Sequence, residues 1–231
     1  MLRHTEKGEQ ALLSMSDLIA TVGKENLAKL KEMHQAEGRY YHTWDHALSV
    51  LKRSLELGLG DVSRRAYALA AIFHDAIYVV GAQDNEERSA KLLFEMCTPR
   101  EQDSVFFAAD LINSTAKHAI ATTENTLPHH RDFMDCDILS IAEPCWPLVV
   151  QNDWNVQAEY LQKLPLNQVI SGRKNFLVSW LEKPSIFIGR ALGQHNEWQA
   201  RQNIRRLLEV RHDFSEITTT HSVADTSSDG I

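Results

Sequence analysis

The sequence predicts an all-α, single-domain protein, and three observations lead to that prediction. Glycine and proline, which interrupt helices, are sparse, with 10 and 6 among 231 residues. The strand-like alternation of Val, Ile and Thr with polar residues is nearly absent, whereas apolar residues recur at helical spacing along most of the chain. No repeat or compositional change divides the chain. We therefore expect one helical domain over residues 1–214 and a polar, disordered tail over residues 215–231.

Helical spacing is clear in the first half of the chain. Apolar residues follow it over residues 9–37, with an interruption near Gly23. A second helix is predicted over residues 44–58, where Gly58 is a typical terminating residue. The third, over residues 62–75, carries an apolar stripe that ends in the pair His74 and Asp75.

The second half also predicts helices. Asp84 followed by Glu87 resembles a capping pattern before a helix over residues 88–97. Further helices are predicted over residues 99–118 and roughly 132–141, separated by a polar loop at 119–130, and then over 143–162, 166–182 and 197–210. The aromatic residues of the last part are predicted to belong mainly to the core: Trp146, Trp154, Tyr160, Phe176 and Trp180.

Composition narrows the classes of partner. The net charge of −7 argues against binding to duplex nucleic acid, which needs a basic face. Three scattered cysteines without a CxxC spacing indicate a reducing, cytoplasmic location. No run of eighteen apolar residues predicts a membrane span. The oligomeric state is left open, and a homodimer is compatible with the sequence.

Residues of the types that bind metals occur in four segments beside apolar helix faces, at 40–47, 73–75, 114–118 and 135–137. A His-Asp pair ending an apolar helix is costly to bury unless a partner replaces its lost hydration. Taken alone, such a pair is more often a cap or a surface pair, and a lone His46 is more often a core histidine. Together, imidazole and carboxylate groups favour a transition-type divalent ion over an all-oxygen calcium site.

The succession His46, His74-Asp75 and Asp137 resembles the HD superfamily of metal-dependent phosphohydrolases, an all-α family named after this dipeptide. The segment "YHTWDHA" is similar to the YHN-x-x-HA signature of cyclic-nucleotide phosphodiesterases. The segment "CDILSIAEPCW" is similar to the one that carries their last metal aspartate. The stretch "FHDAIYVVGAQDNEERSA" closely resembles a bacterial group of predicted HD phosphohydrolases without a firmly assigned substrate.

This resemblance implies the roles of individual residues. His46, His74, Asp75 and Asp137 would be metal ligands, Asp75 would also help to orient the attacking water, and His42 would be the general acid. The resemblance implies one divalent ion, Mn, Fe, Ni, Co, Zn or Mg. It also implies hydrolysis of a small phosphorylated molecule, with a nucleotide as the leading candidate, by attack of a metal-bound water.

Two alternatives remain open within the ligand set. Tyr78 stands where two-metal phosphodiesterases have a further histidine, so the expectation is one ion, with His118 as a candidate ligand for a second. Asp135 competes with Asp137 for the last ligand position. The two lie about 200° apart on a helix, so only one can face the site, and the resemblance favours Asp137.

Weaker candidates surround this set. These candidates are Glu86, Glu87, Asn85, Arg88 and Arg39. Glu86 or Glu87 could orient His42 or a metal-binding histidine, although helix capping is at least as good an explanation for Glu87. The other three could contact a phosphate, although each is more often simply a solvated residue.

Two rival functions follow from other classes of protein. One is a di-iron oxygenase with the HD fold, which would need extra ligands from His118, His129 or His130. The other is a metal-stabilised nucleotide-binding or regulatory module that has no turnover.

Overall fold

The computed structural model describes residues 18–57, 61–97, 102–190, 192 and 194–223. Within these ranges every regular element is a helix, so the predicted all-α class is confirmed. After a short helical stretch at residues 18–22, the elements are α1 (Lys24–His34), α2 (Trp44–Leu55), α3 (Asp61–Phe73), α4 (Asn85–Met96), α5 (Gln102–Thr115), α6 (Pro128–Ile138), a 3₁₀ helix (Leu139–Ala142), α7 (Trp146–Leu161), α8 (Leu166–Glu182) and α9 (Gln194–Val223).

Several helix ends follow local sequence signals. Gly23 separates residues 18–22 from α1 with a φ of 85°, a left-handed conformation that glycine tolerates. Thr43 is the extended residue that precedes α2, which begins at Trp44 as predicted. The predicted stop at Gly58 lies outside the described residues, and α2 ends at Leu55.

Two helices extend beyond their predicted bounds. α6 begins at Pro128 and not near Asp132, because the fixed φ of proline suits the first turn of a helix. α9 continues to Val223 and so includes residues 215–223, for which composition predicted a disordered tail. That segment contains no glycine or proline to stop a helix.

Helix α3 lies at the centre of the larger hydrophobic core. All eight residues from Ala66 to Phe73 are at most 2% exposed, so the helix is covered on every side. Its neighbours contribute Leu30, Val50, Leu93, Ile112 and Phe133 to the same cluster. The residue that follows this helix still lies inside the core, so His74 is only 1% exposed.

A second cluster joins the 3₁₀ helix to α7, α8 and α9. It is built from Val149, Leu177, Trp180, Ala200 and Ile204, with Ile186 and Phe187 from the loop before α9. The aromatic prediction holds for Trp180 but is wrong for Trp154, Phe176 and Tyr160, which are 56%, 41% and 38% exposed. Trp154 is exposed because other residues, most of them polar, occupy the buried positions of α7: Val149, Asp153, Gln157 and Glu159.

In the part of the chain that the structure describes, no helix is both long enough and apolar enough to cross a membrane.

Candidate functional site

Three helix ends bring the predicted metal ligands together. His46 lies in the first turn of α2, His74 and Asp75 directly follow α3, and Asp137 is the last residue but one of α6. His46 and His74 are 6% and 1% exposed at their side chains, whereas Asp75 and Asp137 are 17% and 16% exposed. The imidazoles are therefore anchored in the core and the carboxylates face the opening.

The ligand atoms lie close together. His74 Nε2 is 2.9 Å from Asp75 Oδ2 and 3.3 Å from both Asp137 Oδ1 and His46 Nε2. His46 Nε2 is 3.0 Å from Asp137 Oδ1 and 3.6 Å from Asp75 Oδ2. Around an ion with bonds of about 2.1 Å, neighbouring ligand atoms lie about 3.0–3.4 Å apart. The spacing of His46, His74 and Asp75 fits one divalent ion, and Asp137 Oδ1 lies within 3.3 Å of both imidazole nitrogens.

A hydrogen bond selects the ring nitrogen that His74 offers. Its Nδ1 lies 2.9 Å from the carbonyl oxygen of Ala71, to which it donates. The lone pair of the neutral ring is then on Nε2, which faces the other ligand atoms. Metal-binding histidines are usually oriented by such a bond on the second nitrogen.

Neighbouring charges determine the ionisation of Asp75 and Asp137. The charges of Asp75 and Asp137 raise the pKa of His74 well above its usual value despite its burial, and a bound metal ion would take the place of its Nε2 proton. Burial by itself would raise the pKa of the two carboxyl groups, but the positive charge of protonated His74 outweighs burial and holds both pKa values below the usual range. Both groups are therefore ionised at neutral pH. Ionised carboxylates and neutral imidazoles are the forms that bind divalent metals.

His42, the predicted general acid, is paired with a glutamate from α7. Its Nδ1 donates to Glu159 Oε2 over 2.6 Å. Burial opposes protonation of His42, but the charges of Asp75 and Glu159 outweigh it and raise the pKa of the imidazole. His42 also stacks on Tyr78, with ring centroids 4.1 Å apart.

Glu159 has a second role, which sequence reasoning missed. The side chain is fully buried, and its Oε1 accepts hydrogen bonds from the backbone N–H groups of Tyr40, Tyr41 and His42 at 2.7–2.9 Å. These bonds and the His42 partner lower the pKa of Glu159 to about 2, against the effect of burial. One carboxylate thus shapes the loop before α2 and orients its histidine.

The weaker candidates of the sequence lie elsewhere. The carboxylate that orients His42 is Glu159, not Glu86 or Glu87, and Glu87 is exposed. The Asn85 side chain exchanges two hydrogen bonds with the backbone of Val79, so it closes a turn. Arg88 is exposed and lies 3.8 Å from Asp84, whose side chain makes no capping bond.

Arg39 supports the site from behind instead of facing a substrate. Its guanidinium donates to the carbonyl oxygens of His42, Asp75 and Ala76 at 3.1, 2.6 and 2.8 Å. His34 approaches the same guanidinium and donates through Nε2 to the carbonyl oxygen of Ile72 at 2.9 Å. The backbone that carries the His-Asp pair is therefore held at several carbonyl groups.

The structure separates the two competing aspartates. Asp135 accepts from the backbone N–H groups of Ile188 and Gly189 at 3.0 and 2.8 Å, on the side away from the cluster. Burial raises its pKa to about 7. Asp137 is the aspartate that reaches His46 and His74.

His118 approaches the other side of Asp137. Its Nε2 is 3.7 Å from Asp137 Oδ2, whereas Asp137 Oδ1 faces His46 and His74. The two oxygens of one carboxylate thus point toward different groups of histidines.

A second group of metal-binding types lies between α5 and α6. Asp110 Oδ2 is 3.4 Å from His129 Nε2 and 2.6 Å from His130 Nε2. Two clusters of the described residues could therefore hold a metal ion: this exposed one and the buried one around His46, His74 and Asp75.

A cleft of about 500 Å³ opens beside the buried cluster. His42, His118 and Asp137 form part of its wall, and α7 and α8 form most of the rest. A small molecule in the cleft can reach both the carboxylate and the paired histidine.

Comparisons with protein-family models, curated proteins and solved structures found no match to this chain. The assignment of a function therefore depends on the site itself.

Proposed function

We propose that this protein is a metal-dependent phosphohydrolase of the HD type that acts on a small phosphorylated molecule, with a nucleotide as the leading candidate. One observation carries the proposal: His42, which is hydrogen-bonded to the buried Glu159, stands beside the two-histidine, two-aspartate cluster and forms part of the wall of a cleft. A metal site that only stabilised the fold would not need a charged imidazole next to its ligands.

The ligand types support a role for a divalent ion. His46, His74, Asp75 and Asp137 would hold it, and the two ionised carboxylates would leave it with little net charge. When bound, such an ion supplies Lewis acidity to a phosphate oxygen and lowers the pKa of water. Asp75, whose side chain is 17% exposed, would accept a hydrogen bond from the attacking water molecule.

His42 would protonate the leaving oxygen. Nδ1 of His42 donates a hydrogen bond to Glu159, so the second nitrogen, Nε2, is the one that carries or releases the transferable proton. The raised pKa keeps a fraction of the imidazole protonated near neutral pH. Protonation by such a group typically contributes a factor of about 10²–10⁴ in rate.

The experiment is phosphate release from a panel of phosphate esters by the Mn²⁺-loaded protein. We expect His42→Ala to retain metal and to lower kcat by at least about a hundredfold. His195→Ala, which removes an exposed histidine of α9, is the matched control and should keep full turnover. Equal turnover in His42→Ala and wild type would contradict the proposed role of His42.

A second candidate, a di-iron oxygenase, is favoured by the position of His118. Because Asp137 directs one oxygen toward His118 and the other toward His46 and His74, it could bridge two ions. Two iron ions per chain after anaerobic loading, both lost in Asp137→Ala, would favour this candidate. One ion per chain would favour the hydrolase.

A further inference from the structure

The cleft continues from the His42 end into an apolar space between α7 and α8. Its walls there are mainly aliphatic and aromatic: Ile141, Val149, Val156, Tyr160, Val169 and Phe176. Tyr160 and Phe176 are 38% and 41% exposed although they lie in the wall of a cavity. A space of this kind favours an organic group with little charge.

Gly172 is the least expected residue in this wall. It lies in the interior of α8, where glycine is less favourable than any residue except proline. A Cβ atom built on Gly172 would meet nothing within 4 Å, so close packing inside the protein does not require a glycine there. Because Gly172 lines the cleft, its missing side chain enlarges the space available to an occupant.

The charges of the cleft limit the number of phosphates that it can accept. Among the described residues lining it, Arg173 is the one arginine or lysine. Arg173 Nε donates to Asp153 Oδ1 over 2.8 Å, and Gln157 donates to Asp153 Oδ2 over 2.9 Å. Asp137 and Asp153 both contribute carboxylates to the lining, so the walls do not offer the unpaired cations that a polyphosphate chain needs.

We propose that this cleft binds the uncharged organic group of a substrate that carries a single phosphate. The inference rests on the proposed function, since it places the phosphate at the metal cluster and the organic group between α7 and α8. A nucleoside monophosphate and an aryl phosphate both meet this description, whereas a nucleoside triphosphate and a small sugar phosphate do not. The Asp153 carboxylate, held by Arg173 and Gln157, is one polar acceptor in the lining, beside Ser140, Asn152 and Gln168.

Binding of phosphonates, which cannot be hydrolysed at the P–C bond, tests the inference separately from catalysis. Isothermal titration of the Mn²⁺-loaded full chain compares naphthylmethylphosphonate, methylphosphonate and methylenediphosphonate. We expect naphthylmethylphosphonate to bind at least tenfold more tightly than either of the other two. Gly172→Leu, which fills the cleft from α8, should remove that preference.

Lys174→Leu is the matched control, because it adds the same side chain to an exposed position about 200° away around α8. It should keep the tenfold preference. A wild-type protein that binds methylphosphonate as tightly as the naphthyl compound, or methylenediphosphonate more tightly, would overturn the inference. So would the absence of any binding, or an undiminished preference in Gly172→Leu.

The same panel separates this inference from the proposed hydrolase. Tight naphthylmethylphosphonate binding that depends on Gly172, without turnover of any phosphate ester, supports the binding site and refutes the hydrolase. Turnover of phosphate esters that is unaffected by Gly172→Leu supports the hydrolase and refutes this use of the cleft.

Discussion

Replacing Glu159 with glutamine removes one charge from the interior while almost preserving the shape of the side chain. The carboxylate is fully buried and accepts four hydrogen bonds, three from backbone N–H groups and one from His42. Its pKa falls from 4.5 to about 2. That fall corresponds to roughly 3 kcal/mol of stability at neutral pH, because one pKa unit is worth about 1.4 kcal/mol.

The pH dependence gives the prediction a sign. A carboxyl whose pKa is lowered by folding stabilises the protein above the unfolded pKa, and this contribution is lost as the pH falls from 4.5 through 2. Glutamine does not ionise. The difference in unfolding free energy between wild type and Glu159→Gln should therefore be about 3 kcal/mol at pH 7 and less than half of that at pH 3.

Urea unfolding of the two proteins, followed by circular dichroism at both pH values, measures this difference. Glu209→Gln, at an exposed position of α9, is the control and should change stability by less than about 0.5 kcal/mol. A loss below about 1 kcal/mol for Glu159→Gln at pH 7, or a loss that does not shrink in acid, would refute the reasoning.

Four further predictions concern stability. Gly189→Ala should cost about 1–3 kcal/mol, because its Cβ would lie 2.8 Å from carboxylate oxygens of Asp132 and Asp135 and 3.0 Å from a backbone carbon. Gly172→Ala, with open space around its Cβ, should instead gain about 0.5–1 kcal/mol. A melting temperature of Gly189→Ala at or above that of wild type, or of Gly172→Ala below it, would contradict the corresponding expectation. Arg39→Lys should lose about 1–3 kcal/mol of unfolding free energy and release metal faster on dialysis. The reason is that lysine cannot donate hydrogen bonds to all three carbonyl groups at once, as the guanidinium does. Unchanged metal retention would show that Arg39 does not support the site. Burial lowers the pKa of His34 from 6.5 to about 4. Because only the unfolded chain takes up that proton, the unfolding free energy of wild type should fall by roughly 2 kcal/mol between pH 7 and pH 5. Urea unfolding should show no such loss for His34→Gln, and parallel pH profiles for the two proteins would exclude His34 as the cause.

The ligands that could be predicted are those with a local signal. His46 follows the start of α2, and the pair His74-Asp75 directly follows the apolar run at residues 66–73, where a charged residue is conspicuous. Periodicity alone separated Asp135 from Asp137 as residues on opposite faces of a helix, although it could not say which face meets the site. That choice depends on the position of the loop carrying Ile188 and Gly189, which binds Asp135.

Glu159 could not be predicted by the same means, because its partner His42 lies 117 residues earlier in the chain. A weak signal does exist. Asp153 and Gln157 lie four residues apart on one side of α7 and are buried, whereas the apolar residues Leu148, Val150 and Trp154 are exposed. A helix that buries its polar residues indicates a functional interior. Hydrophobicity patterns alone would assign the polar face of such a helix to solvent and its apolar face to the core.

We propose that His46, His74, Asp75 and Asp137 hold a catalytic metal ion. Elemental mass spectrometry on protein purified without a metal-affinity tag tests it directly, with Asp75→Ala and Asp137→Ala as the disruptive variants. His130→Ala, which breaks the exposed cluster around Asp110, controls for metal bound there. We predict about one divalent ion per chain that is lost in both aspartate variants and retained in His130→Ala. Full metal content in Asp75→Ala and Asp137→Ala, or loss only in His130→Ala, would contradict the account.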